Sequence, residues 1–317
     1  MAKRSSYRGV SAAQITNQYC ITKAFWIALQ VIAVLAVPVF LILPIVGKLS
    51  WFNGILCAFT ALVIRYFFAT LQGIRMTQFA VVLNHDCDPV KLEKIFTPLD
   101  KKPEVFNDVS LNMVRALFYQ GRFQEALDRL LKTKKPDEKS AFFFQYYNML
   151  GHCYDRLNDL EKLLAIRQKI ENVSAKEKPK SLRQRQAQQL LTMLEIMILH
   201  KEGKITPCKA ACKDMYTQAS FALSRINVSL RLAELERLSG ANHTASERCA
   251  YIIDDGGTTF YVEEAKKLYQ LCCGREYVPE DAPHPTADDM DDLIDDEEWE
   301  DDDDTDEEYE DDDEEEN

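Results

Sequence analysis

The chain has 317 residues with 38 Lys and Arg against 51 Asp and Glu, but this charge is unevenly distributed. Residues 288–317 hold 23 of the acids and no Lys or Arg, so residues 1–287 carry 38 basic against 28 acidic residues, a net charge of +10. A uniformly acidic protein is therefore excluded, and three zones are indicated: an apolar start, a basic body and an acidic end. The nine cysteines contain no CxxC pair, which disfavours a secreted disulfide scaffold and favours reduced thiols facing the cytosol.

A charge-free segment follows the basic N-terminus, residues 1–23. The 24 residues from Ala24 to Gly47 carry no formal charge, and a membrane-spanning helix needs about 20. Trp26 lies near one end, where aromatic rings favour the membrane interface. A cleaved signal peptide is the alternative, but its apolar segment would be about 7–15 residues long and followed by a small-x-small cleavage site, which is absent here. We therefore predict a transmembrane helix over about residues 24–46.

A second apolar segment, over about residues 52–72, follows the short link KLSW. Residues 24–74 are thus predicted to form a transmembrane hairpin. Arg65, inside the second segment, is either a functional polar site or a side chain that snorkels to the headgroups, and we favour snorkelling because Arg75 follows closely. The positive residues before and after the hairpin predict a multi-pass protein of the cell membrane with both termini in the cytoplasm. If Arg65 prevented the second crossing, the body would lie on the opposite side.

Residues 76–275 have the periodicity of consecutive amphipathic helices. Asp88 is a suitable N-cap and Pro89 a suitable first helical residue, so a helix is predicted to begin there. The cluster of His85, Asp86, Cys87 and Asp88 has two interpretations, a metal or catalytic site and a capped turn. We favour the capped turn, because it explains the same residues without a bound metal or a catalytic role.

Four segments of the body share a pattern, near residues 108–133, 144–171, 186–217 and 226–254. The second contains YYNMLGHCYDRLNDLEKLLAIRQKI and the first contains GRFQEAL, and both resemble the tetratricopeptide repeat. The matching positions are Gly121, Phe123, Ala126, Tyr147, Leu150, Gly151, Tyr154, Leu163, Gly203, Gly240 and Ala245. The resemblance implies an all-α fold of helix pairs stacked into a solenoid, with a concave surface that binds peptide segments and no catalytic residues. A plain helical bundle is the alternative.

Two further features complete the predicted repeat domain. Its four turn residues, Gly121, Asn158, Gly203 and Gly240, are spaced by 37, 45 and 37 residues. This spacing is near the roughly 34-residue period of the family but longer, so an irregular superhelix is expected. A last helix, beginning near Thr259, is predicted to cap the stack.

A basic segment connects the second and third predicted repeats. Its positive residues are Lys176, Lys178, Lys180, Arg183 and Arg185, with Glu177 as the one acid among them. They could bind anionic lipid, nucleic acid or the chain's own acidic tail, but a solvated loop is the favoured interpretation. No base-stacking aromatic residues interleave with these charges, so a nucleic-acid partner is not expected.

No enzyme signature emerges from the sequence. It contains no GxSxG, GxxxxGK[ST], GxGxxG or HExxH motif, and its five histidines are isolated from one another. Cys208 and Cys212, and Cys272 and Cys273, lack matching ligands at zinc spacing. We therefore expect no enzyme activity, no cofactor and no metal.

Residues 276–317 form an acidic tail that is too polar to bury a core, so it is predicted to be disordered. Within it Met290, Leu293, Ile294 and Trp299 could form a short binding motif, or they could be incidental to a solubilising polyelectrolyte. The function hypothesis is a membrane-anchored scaffold or adaptor for an unidentified protein partner, with a tail that recruits or competes for basic surfaces. The alternatives are a regulatory subunit of a membrane transport assembly and an anionic-ligand binder inhibited by its own tail.

Overall fold

A computed structural model describes residues 7–279, 285–286, 289–290 and 293, with the backbone alone for 72–77. Helices make up 74% of the described residues, which contain no strand. The all-α prediction is therefore confirmed. Ile294 and Trp299, and most of the predicted acidic tail, lie outside the described residues.

The first two helices form the predicted apolar hairpin. Helix α1 covers Ala12–Ile42 and α2 covers Trp51–Gln78. Both are long and apolar enough to cross a membrane, with mean hydropathies of 2.6 and 1.8 in their most apolar windows. α1 begins well before the predicted span at Ala24, because Ser11 caps it in a reciprocal capping box with Gln14. Residues 12–23 therefore belong to the first helix and not to a separate N-terminus.

Small residues hold the two hairpin helices together. A Cβ atom added to Gly54 of α2 would lie only 2.8 Å from the carbonyl oxygen of Phe40 in α1. Ala33, Ala58 and Ala61 are buried, whereas large apolar side chains such as Phe59 remain exposed. Close backbone approach through small residues is typical of helices that associate in a bilayer. The hairpin thus has a packed inner face and an apolar outer surface.

Eleven helices follow within the described body. They are α3 (Ala80–Asn84), α4 (Pro89–Phe96), α5 (Asp108–Tyr119), α6 (Phe123–Lys132), α7 (Phe143–Arg156), α8 (Leu160–Ser174), α9 (Leu182–Lys201), α10 (Ile205–Thr217), α11 (Ala222–Leu238), α12 (Asn242–Asp255) and α13 (Phe260–Cys273). Asp88 caps α4 by accepting a hydrogen bond from the Lys91 amide, as predicted.

Helices α5 to α12 form four antiparallel pairs at the positions of the four sequence segments. Three-residue connections join the helices of each pair, and each contains one residue with positive φ: Gly121 (80°), Asn158 (60°), Gly203 (71°) and Gly240 (87°). Left-handed backbone ends the first helix and directs the chain into the second. Contacts also join the first helices of successive pairs, α5 with α7 and α7 with α9.

Helix α13 connects the end of the body to its beginning. It packs on α11 and α12, as a capping helix would, but it also reaches the first pair. The ring of Phe260 lies 5.8 Å from that of Phe118 in α5, and the amide of Thr258 donates to the carbonyl of Cys87 at 3.0 Å. Helix α13 therefore packs on the last pair and, through its aromatic residues, also completes the core of the first pair.

Candidate interaction surfaces

The start of α1 attaches the hairpin to the body. Tyr19 is 3% exposed, and its ring packs edge-on against Phe79 at 5.2 Å, which packs in turn on Phe96 of α4 at 5.7 Å. The hydroxyl of Thr16 donates to the carbonyl of Ile95 at 3.3 Å. The hydrogen bond joins residues 79 positions apart, and the Tyr19–Phe79 contact buries aromatic surface. The hairpin and the body therefore pack as one unit.

The cluster from His85 to Asp88 is part of the same junction. The amide of Tyr7 donates to the carboxylate of Asp86 at 2.9 Å, and Asp88 accepts from the Thr258 hydroxyl at 3.0 Å. Asp88 also caps α4. Asp86 thus holds the N-terminal segment, and Asp88 holds the start of α4 and the segment before α13. These are the contacts expected of a capped turn.

The repeat-pattern residues lie in the core or at the turns. Tyr147, Leu150 and Tyr154 of α7 are buried, as are Ala126, Leu163 and Ala245 in the second helices of their pairs, and Phe123 is partly buried. Gly151 allows α9 to pack closely against α7, because a Cβ atom added at Gly151 would lie only 2.9 Å from the side chain of Leu194. These side chains pack the helices and present no binding surface.

A group of charged residues missed in the sequence lies on the first helices of the last three pairs and on α13. This inner polar cluster comprises Asp155 and Arg156 of α7, His200 and Lys201 of α9, Arg231 and Glu234 of α11, and Glu264 of α13. Arg231 donates to Asp155 at 2.8 Å, and His200 lies 3.2 Å from Glu234. Arg156 lies 3.0 Å from Glu264. Their signal in the sequence is weak, since charged pairs near helix ends are common on solvated faces.

Burial and mutual charge set the pKa values in this cluster. Burial alone would raise the pKa of Asp155, but the charge and hydrogen bond of Arg231 outweigh it and lower this pKa. Glu234 behaves similarly, because the hydrogen bond from His200 and the charge of Arg231 overcome burial and lower its pKa. Burial lowers the pKa of nearby His152 to about 4, so its imidazole is neutral at physiological pH. The cluster is therefore a set of compensated charges that joins three helix pairs.

Helix α13 covers part of the face that carries this cluster. Tyr261 is 1% exposed, and its ring lies 6.0 Å from that of Tyr119 in α5. The guanidinium of Arg156 lies 4.7 Å above the ring of Phe260. Part of the face that carries the cluster therefore packs against α13.

A shallow groove of about 490 Å³ is lined by residues of α4, α5 and α6 and of the segment between α4 and α5. Met113 and Leu117 contribute apolar surface, while Glu93, Arg122 and Lys132 contribute charges. Arg122 bonds both Glu93 and Glu125, at 3.0 and 2.6 Å, so its guanidinium is already paired. The groove presents mixed charge around a small apolar base.

The basic segment does not assemble into one anion site. Arg183 bonds Glu177 at 2.8 Å and packs over the ring of Phe144 at 5.1 Å, so it holds the connection between α8 and α9. Lys176 lies 3.9 Å from Glu138. The remaining members, Lys178, Lys180 and Arg185, are exposed, without an ion pair to any described residue. This distribution fits the solvated-loop interpretation better than a binding pocket.

Arg65 is exposed on α2 and forms no ion pair with any residue that the structure describes. Gly54, Ala58 and Ala61 mark the side of α2 that faces α1. Arg65 follows Ala61 by four residues and Ala58 by seven, which places it on this same side of α2, although its side chain is exposed. Both snorkelling and a functional role in the membrane remain predictions.

The described part of the chain contains no group of three or more His, Cys, Asp or Glu that could hold a metal ion. All nine cysteines are free thiols, and Cys208 and Cys212 are buried. Burial raises the pKa of Cys87 and of Cys153 to about 12, so neither carries an activated thiolate.

Two of the predicted tail residues are packed against the body. Met290 is 1% exposed within the hydrophobic core, and Leu293 is partly buried against that core. Comparisons of the chain with protein-family models, with curated proteins and with solved structures gave no match.

Proposed function

We propose that this chain is a membrane-anchored scaffold whose helical body binds a protein partner at the cytoplasmic surface. The observation that carries the proposal is the junction of Tyr19, Phe79 and Phe96, which packs the body directly on the apolar hairpin. A flexible tether would leave the body free to rotate, whereas this junction holds it at one height and orientation. Fixed presentation of a binding surface is useful to an assembly protein.

The helix pairs support the same proposal. Their turns and small residues agree with the tetratricopeptide-like pattern, whose members bind protein segments, and we propose that the body is an irregular solenoid of this kind. Because α13 covers part of the face of the first helices, the partner is expected to use the exposed outer surfaces. The exposed cations Lys178, Lys180 and Arg185 favour a partner with an acidic surface.

The proposed topology can be tested by thiol labelling in intact cells. Cys273 is exposed at the end of α13 and should resist a membrane-impermeant maleimide until the cells are permeabilised. A matched Ser50→Cys variant, in the link between the apolar helices, should be labelled from outside. Labelling of Cys273 in intact cells would place the body on the other side and contradict the cytoplasmic assignment.

The scaffold function is tested by crosslinking in the native membrane, followed by binding measurements with the purified components. The intact chain should recover a partner that rebinds with fixed stoichiometry, and the combined variant Lys178→Glu, Lys180→Glu and Arg185→Glu should weaken that binding. Exchange of Leu182, which is 73% exposed between these cations, for Ser is the uncharged control. Recovery of the chain alone would count against a scaffold.

A further inference from the structure

The chain reverses direction after α13. Gly274 ends this helix with a left-handed φ of 68°. Tyr277 then packs edge-on against Tyr269 at 5.2 Å, and its hydroxyl donates to a carboxylate oxygen of Asp254 at 2.7 Å. The segment that leads to the acidic tail is thus held against α12 and α13.

A capped turn follows at Thr286. Its amide and hydroxyl both donate to a carboxylate oxygen of Asp289, at 2.6 and 2.7 Å, and the amide of Met290 donates to the carbonyl of Thr286 at 3.1 Å. This is the arrangement that starts a helix. In helical geometry Met290 and Leu293, three residues apart, lie on the same side.

That side faces the body. Met290 is 1% exposed and belongs to the same continuous core as the residues of α3 to α13, and Leu293 packs against this core. The neighbouring Asp289 is exposed. An apolar pair in a strongly acidic sequence is therefore buried selectively, with its acidic neighbour left in water.

We propose that Met290 and Leu293 form an intramolecular docking motif that fixes the start of the acidic tail on the helical body. The apolar patch beneath them is then a binding site for a short acidic amphipathic segment, and its occupant is this chain's own C-terminal segment. The net charge of +10 on residues 1–287 favours the same association, because residues 288–317 carry 23 acids. The inference does not depend on the scaffold function.

Methyl NMR of the full chain in neutral-lipid nanodiscs tests the proposal directly. The chain has eight methionines, and a Met290→Leu variant assigns the Met290 methyl signal. A docked Met290 gives a signal displaced from the random-coil position, with cross-relaxation to body protons. Leu293→Asp should weaken docking about tenfold, because a charge replaces an apolar side chain at the contact, and should move the signal to the random-coil position. Thr305→Asp adds the same charge outside the motif and should leave the signal in place.

Two further measurements separate this proposal from its alternatives. If docking is intramolecular, the Met290 signal is independent of protein concentration. In mixtures of methyl-labelled chains with spin-labelled chains, the spin label on one copy then does not broaden the Met290 signal of another copy. If apolar burial holds the motif, high salt leaves the signal displaced, whereas attraction by charge alone would be lost. Three outcomes would each overturn the proposal: a random-coil Met290 signal in the unmodified chain, broadening of that signal by spin labels on other copies, or a return of the signal to the random-coil position at high salt.

Discussion

The guanidinium of Arg231 donates a 2.8 Å hydrogen bond to the carboxylate of Asp155, joining α11 to α7 across 76 residues of chain. The side chains are 12% and 4% exposed, and Lys201 of α9 lies 3.7 Å from the same carboxylate. Three helix pairs thus share one carboxylate in the interior of the body. This interaction ties the fold together across the last three helix pairs.

Asp155→Asn should destabilise the body strongly. It removes the carboxylate that is hydrogen-bonded to the buried Arg231 and lies near the half-buried Lys201, at a cost of about 3–5 kcal/mol in the free energy of unfolding. Urea unfolding in detergent, followed by circular dichroism, measures this cost. Glu263→Gln, which removes an exposed ion pair with Lys266, is the control and should have little effect. The double variant Asp155→Leu with Arg231→Met should recover much of the loss, and an unchanged stability in Asp155→Asn alone would contradict the role of this pair.

His152 should make the body less stable as the pH falls. In the unfolded chain an ordinary histidine takes up a proton near pH 6.5, whereas burial holds the pKa of His152 in the folded chain at about 4. Protons therefore favour the unfolded chain between these values, and up to about 3 kcal/mol of stability is lost as the pH falls through this window. Urea unfolding between pH 7.5 and pH 4 measures the slope.

The matched variants isolate this histidine from the carboxylates that titrate in the same range. His152→Gln should flatten the slope between pH 6.5 and about 4. His243→Gln, whose parent side chain is 86% exposed, should leave the slope unchanged. Equal slopes in His152→Gln and the parent chain would show that another group causes the pH dependence.

Tyr19→Ala should destabilise the body although Tyr19 lies in the first apolar helix. The variant removes a buried ring that packs on Phe79, and loss of such a ring costs about 3 kcal/mol. The unfolding midpoint of the body in nanodiscs should fall by about 6–12 °C. Phe67→Ala, on the exposed side of α2, is the control and should leave the midpoint unchanged. If Tyr19→Ala and Phe67→Ala behaved alike, the hairpin and the body would fold independently.

The turn glycines should differ in their tolerance of alanine. Gly121 and Gly203 both have positive φ, so Ala costs about 1–2 kcal/mol in backbone strain at either site. At Gly121 the new Cβ also lies 3.3 Å from Cβ of Phe260 in α13, whereas nothing lies within 4 Å at Gly203. Gly121→Ala should therefore be the more destabilising, as measured by thermal unfolding. Equal effects would indicate that α13 shifts easily away from the first turn.

The sequence determined the parts of this protein that depend on neighbouring residues. Long apolar segments predicted the two apolar helices, since backbone groups in lipid must bond within a helix. Glycine or asparagine at regular spacing predicted the four turns, because these residues adopt left-handed backbone at the lowest cost. Apolar periodicity predicted the all-α body, and Met290 with Leu293 stood out because their acidic surroundings contain so few apolar residues.

Only the tertiary structure decided how distant segments meet. Tyr19 was assigned to a basic N-terminus, and its partner Phe79 lies 60 residues further along the chain. Phe260 was assigned to a capping helix, but it packs against Phe118 of the first pair. Local periodicity records which face of a helix is apolar and leaves open what that face contacts. Such long-range contacts depend on how well the surfaces of folded helices fit one another. The shape of each surface depends on side chains from several helices, so no single segment of sequence reveals it.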